Sequence, residues 1–107
     1  MEIREIDTDS HYSEEVMSIL ERIRKYGNEL DMYTTNKMLK FAEKELGKKG
    51  SFIELSAFYD RLICRIMDCC YWGKFVDFET ILADYIFSEF TLYEVTDGEN
   101  KLYVLVT

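Results

Sequence analysis

The chain predicts an α+β fold, mostly helical, with about four helices followed by a C-terminal β-hairpin. Three observations predict it. Apolar residues recur at helical spacing in stretches between Tyr12 and Phe90, give way to a β-branched and aromatic pattern after Phe90, and are separated by five glycines and no proline. At 107 residues, 48% hydrophobic and 15% aromatic, the chain suits one compact domain spanning residues 1–107.

A first helix is expected from about Tyr12 to Tyr26, since Val16, Ile19, Leu20 and Ile23 share a face and Ser10 or Ser13 can cap it. Glu21 and Lys25 add a favourable i,i+4 pair. After Gly27-Asn28-Glu29, a second helix from about Thr35 to Leu46 buries Met38, Leu39, Ala42 and Leu46, and Gly47 stops it. A third begins at Ser51-Phe52-Ile53-Glu54, which fits a capping box, and carries an apolar stripe from Leu55 through Tyr59, Leu62 and Ile66 to Cys70. Asp77-Phe78-Glu79 opens a fourth, with Phe78, Ile81, Leu82, Tyr85 and Ile86 inward. Thr91 to Thr96 and Lys101 to Thr107 then form the hairpin around Asp97-Gly98-Glu99-Asn100. An isolated hairpin is marginal in water, so Met1 to Ile6 is the candidate third strand.

Charge is segregated along the chain. The net charge is -8, with residues 1–21 contributing -6, residues 22–50 +4, residues 51–75 nothing and residues 76–107 another -6. Such patterning bears on partners and encounter rates rather than on fold. Helices followed by a hairpin also describe a winged-helix DNA-binding domain, but no basic residue lies between Val76 and Asn100, where DNA would approach. Direct nucleic-acid binding is therefore not expected. The lysine-rich second helix, with Lys37, Lys40, Lys44, Lys48 and Lys49, reads as a solvated face.

Catalytic chemistry leaves little trace, and the chain reads as a non-enzyme without cofactor. His11 is the single histidine; Cys64, Cys69 and Cys70 lack zinc-ligand spacing and read as reduced thiols packed as small hydrophobes. There is no P-loop, G-x-G-x-x-G or G-x-S-x-G sequence. No apolar stretch has the length of a membrane span and the first residues lack a signal-peptide pattern, so a cytoplasmic setting is expected.

What remains is an acidic, aromatic-rich surface. Asp77, Glu79, Asp84, Glu89, Glu94, Asp97 and Glu99 are the candidate partner-binding acids. Asp77 and Asp84, seven residues apart on one helix, stand about 10.5 Å apart along its axis, a spacing that any i,i+7 pair shares and that approximates three phosphate steps of a DNA strand. In general build the chain resembles small acidic inhibitors such as phage anti-CRISPR proteins, antirestriction proteins and nuclease immunity proteins. That resemblance implies a stoichiometric inhibitor blocking the basic nucleic-acid channel of a CRISPR effector or other nuclease. The alternative is a small interaction adaptor with a solvated acidic surface, and the aromatic excess also suits a homodimer interface.

Overall fold

Alternation along the C-terminal hairpin sets the plan of the molecule. The computed structural model describes residues 1–10, 13–47, 52–61 and 78–107, arranged in chain order as β1 (Glu2–Glu5), α1 (Glu14–Tyr26), α2 (Met32–Leu46), β2 (Phe52–Glu54), α3 (described over residues 55–61), α4 (Phe78–Glu89), β3 (Thr91–Asp97) and β4 (Asn100–Val106). The four strands form one antiparallel sheet in the order β1-β3-β4-β2. The α+β class, the C-terminal hairpin and the N-terminal third strand all stand as the sequence predicts.

Leu92 pairs with Leu105 and Glu94 with Tyr103, while Tyr93 pairs with Val104 and Val95 with Leu102. Side chains alternate across a strand, so these pairs project to opposite faces. Leu92, Tyr103 and Leu105 join Val16, Ile19, Leu20, Leu55, Tyr59 and Ile86 in one apolar cluster, placing α1, α3 and α4 on the same side. Val95, Leu102 and Val104 join Met38 and Ala42 in a second cluster beneath α2. The sheet is thus covered on both faces, which explains why Leu102 through Val106 is a continuous buried run.

Local chemistry sets the helix starts. Ser13 caps α1 by accepting the Val16 N–H at 3.4 Å, and Asp31 caps α2 by accepting the Thr34 N–H at 2.6 Å. Helix α2 therefore begins three residues before the expected Thr35. The hairpin turns on Gly98 at φ 62°, the left-handed first position a two-residue type II′ connection requires.

One expectation is corrected. Phe52–Glu54 is the edge strand β2, antiparallel to β4, rather than the capping box of the third helix, which starts at residue 55. Phe52 packs against the α2-side cluster and Ile53 against the α1-side cluster. A strand can bury two successive residues on opposite faces, and here it also satisfies the open edge of β4. Most of the expected stripe beyond residue 61, the three cysteines and His11 lie outside the described residues.

Candidate functional site

Strand pairing brings the two acidic ends of the chain together. β1 lies against β3, with Arg4 opposite Glu94 and Glu2 opposite Thr96. The Ile6 N–H then donates to the Leu92 carbonyl at 2.9 Å, so Asp7 and Asp9 leave the sheet beside the corner where α4 ends at Glu89 and β3 begins at Thr91. The Asp9 N–H donates to Asp7 Oδ1 at 3.0 Å and shapes that exit. Glu5, Asp7, Asp9, Asp84 and Glu89 are all exposed. The exit of β1 at Asp7 and the end of α4 at Glu89 therefore lie at the same end of the sheet.

The candidate acids occupy several environments. Asp77 lies outside the described residues, and its spacing to Asp84 with it; Glu79 is on the α4 backbone, and Asp84 and Glu89 are exposed on the same helix. Glu94 is enclosed, its side chain 12% exposed and its carboxylate 3.5 Å from the Arg4 guanidinium. Asp97 lies 3.9 Å from Lys37, and Glu99 is exposed on the hairpin turn. Sequence reasoning misses Asp7 and Asp9 as site residues because only the β1–β3 pairing brings the exit of β1 to the end of the sheet where α4 closes. The available signal is the expected Met1-to-Ile6 strand, whose partner the sequence does not identify.

Under α1 lies a cluster of mixed charge. Arg4 donates to Glu15 at 2.9 Å as well as to Glu94, and its affinity for its proton is raised mainly by the Glu15 hydrogen bond. The Tyr103 hydroxyl faces this cluster; burial, then the adjacent Glu94 carboxylate to which it donates, pushes its pKa up to about 12. Two adjoining hollows of about 160 and 280 Å³ share Arg22, Lys101 and Tyr103 in their walls. Together they are lined by Arg4, Arg22 and Lys101 against Glu15, Glu29, Glu54, Glu94 and Glu99, so five acids face three cations and the hollows offer no net positive seat. The arrangement ties α1 to the sheet.

A different surface lies at the α1–α2 junction. Tyr26, at the end of α1, is exposed, and Met32 and Tyr33, in the first turn of α2, are 81% and 79% exposed. Farther along α2, Lys37, Lys40 and Lys44 stand on the same outward face as Tyr33. The opposite face of α2 covers the side of the sheet away from α1 and α4. The early start of α2 is why sequence reading places Met32 and Tyr33 outside any helix.

Among the described residues no group of three or more histidine, cysteine or acidic side chains could hold a metal ion, and no helix is long and apolar enough to cross a membrane. The chain matches no family model, no curated protein and no solved structure.

Proposed function

We propose that the chain is a non-enzymatic, stoichiometric inhibitor of the kind carried by phages and mobile elements. Its acidic face occupies the basic nucleic-acid-binding channel of a nuclease-type effector, such as a CRISPR effector, in the cytoplasm. The observation that carries this reading is the β1–β3 pairing, which brings the exit of the first acidic segment at Asp7 to the same end of the sheet as Glu89 at the close of α4. Carboxylates gathered within about a Debye length of one another act as a single field toward a basic cleft, which speeds encounter. Glu99 extends the acidity to the hairpin tip, and Tyr85, which stands half-exposed on α4 rather than inward as its spacing predicts, supplies a rigid aromatic contact next to Asp84 in the chain.

The test is affinity capture with the tagged protein from nuclease-treated bacterial lysate, washed at low and then high salt, with partners identified by mass spectrometry. A stoichiometric basic nuclease that elutes with salt and is displaced by added nucleic acid supports the inhibitor. Reversing charge at Asp84, Glu89 and Asp7 together is then expected to slow association about 10-fold or more at low salt. A salt-resistant partner without a nucleic-acid channel favours the adaptor instead. Exposed Tyr26, Met32 and Tyr33 are the specific observation behind that second reading, because aromatic and Met side chains are enriched at protein interfaces.

A further inference from the structure

The outward face of α2 carries more than a solvated helix needs. Tyr33, Lys37, Lys40 and Lys44 are all exposed and fall within about 60° of one another around the helix axis, opposite the Met38 and Ala42 side that packs on the sheet. Along the axis they run for about 16 Å, with the aromatic ring at one end and the three cations following it. The lysines stand three and four residues apart, the spacing at which like charges repel on a helix surface. Lys40 and Lys44 have no ion-pair partner among the described residues, and Lys37 has Asp97 at 3.9 Å. Glu43 and Glu45, the acids of α2, lie on the two flanks of this arc rather than within it. An anion laid along the line relieves the repulsion that the helix leaves unanswered.

The second observation is Tyr33. It is 79% exposed, so its ring is open to a ligand, and Asn36, exposed one turn further on, offers an amide donor and acceptor beside it. A row of cations that tracks phosphates, ending in an aromatic ring on which a base can stack, is the chemistry that holds an unpaired strand. We propose that the outward face of α2 binds single-stranded nucleic acid, with Lys37, Lys40 and Lys44 along the sugar–phosphate backbone and one base stacked on Tyr33. A duplex keeps its bases stacked on one another and leaves the Tyr33 ring without a partner. A lipid surface suits the face less well, because the apolar residues Met38 and Ala42 are turned to the sheet. The sequence reads these lysines as merely solvated because it starts the helix at Thr35 and so leaves Tyr33 off their face.

The net charge of -8 does not forbid the contact. Helix α4 belongs to the cluster on the far side of the sheet, so α2, about 10 Å across, and the sheet beneath it separate the lysine face from α4. That distance exceeds the Debye length of about 10 Å at 0.1 M salt, and the face presents its local charge to a strand. Three phosphate contacts and one stacked base make a weak, salt-sensitive complex. The contact uses a different face from the acidic one proposed to meet an effector, and its test needs no effector, so either reading can fail without the other.

Fluorescence anisotropy of a labelled oligothymidylate of about 12 nucleotides, titrated with the purified full chain at about 0.1 to 0.3 M salt, tests the proposal. The expected dissociation constant is on the order of 0.1 mM at the lower salt, and each lysine contributes about 0.7 to the slope of log affinity against log salt. K40A/K44A is therefore expected to make that slope shallower by about 1.4. Tyr33→Ala is expected to weaken binding at least about 5-fold with the slope unchanged, and Tyr33→Phe to bind as the native chain does. Asp97→Asn removes the carboxylate that competes for Lys37 and is expected to tighten binding, a gain that a misfolded variant does not give. No change in anisotropy up to about 1 mM chain overturns the proposal, as does a salt slope that K40A/K44A leaves as it was. Displacement by polyglutamate as effective as that by unlabelled oligothymidylate, with Tyr33→Ala binding undiminished, overturns it too and assigns the face to an acidic protein segment. A chain that binds phosphatidylserine vesicles through these lysines but no oligothymidylate overturns it in favour of a lipid surface.

Discussion

Tyr103 is where burial, charge and hydrogen bonding act most clearly on one side chain. Its residue is 7% exposed, its partner across the hairpin is Glu94, and Arg4 and Arg22 stand close enough to offset part of the carboxylate's effect. The folded phenol titrates at about 12, against an unfolded value of 10. Between those values the unfolded chain releases a proton that the folded chain keeps. Stability is therefore whole below pH 10 and declines as pH rises toward 12, by about 1.4 kcal/mol for each unit. Urea titrations across that range are expected to show a steeper decline for the native chain than for Tyr103→Phe. Parallel declines would mean that Tyr103 does not distinguish the folded from the unfolded state. Sequence alone places Glu94 and Tyr103 on neighbouring strands, yet it assigns the carboxylate to open surface. Alternation gives the two faces of β3, but only the packing of α1 shows that the Glu94 face is covered.

Elements are readable where one segment carries its own periodicity and caps. Helix α1 keeps its apolar face and its Ser13 cap, and the hairpin turns at the expected Gly98. Strand β2 is misread because Phe52-Ile53-Glu54 supports both a capping box and a two-sided strand, and the choice is made by the edge of β4, about fifty residues later. The role of α2 is likewise hidden. Its Met38 and Ala42 announce a buried face without saying that, among the described helices, α2 alone packs on its side of the sheet. That isolation makes the element sensitive. Met38→Ala is expected to cost about 2–5 kcal/mol in chemical denaturation, because the cavity opens between α2 and Val95, Leu102 and Val104, where no other described helix can move in. Met38→Leu keeps the volume and is expected to cost less than about 1.5 kcal/mol. Equal losses would show that side-chain shape rather than lost volume controls this layer.

At the scale of the whole molecule, the sequence tallies charge but cannot locate it, because the two acidic ends meet only through the pairing of β1 with β3. Their meeting sets two effects of salt against each other. Ion pairs such as Arg4–Glu15 and Lys25–Glu21 weaken when screened, but both are exposed on either side, and such surface pairs contribute little. Repulsion among the excess carboxylates is relieved by the same ions, and the net charge of -8 makes that relief outweigh the weakened pairs. Raising salt from about 20 to about 300 mM is therefore expected to stabilise the chain by about 1 kcal/mol, or roughly 4 °C in Tm, when melting is followed at high dilution. E89K relieves part of the same repulsion by another route and suits the end of α4, so it is expected to start from a higher Tm and to gain less from salt. A Tm that falls as salt is added would mean that the ion pairs outweigh the repulsion, and that the chain's acids are too far apart to present one field to a basic partner.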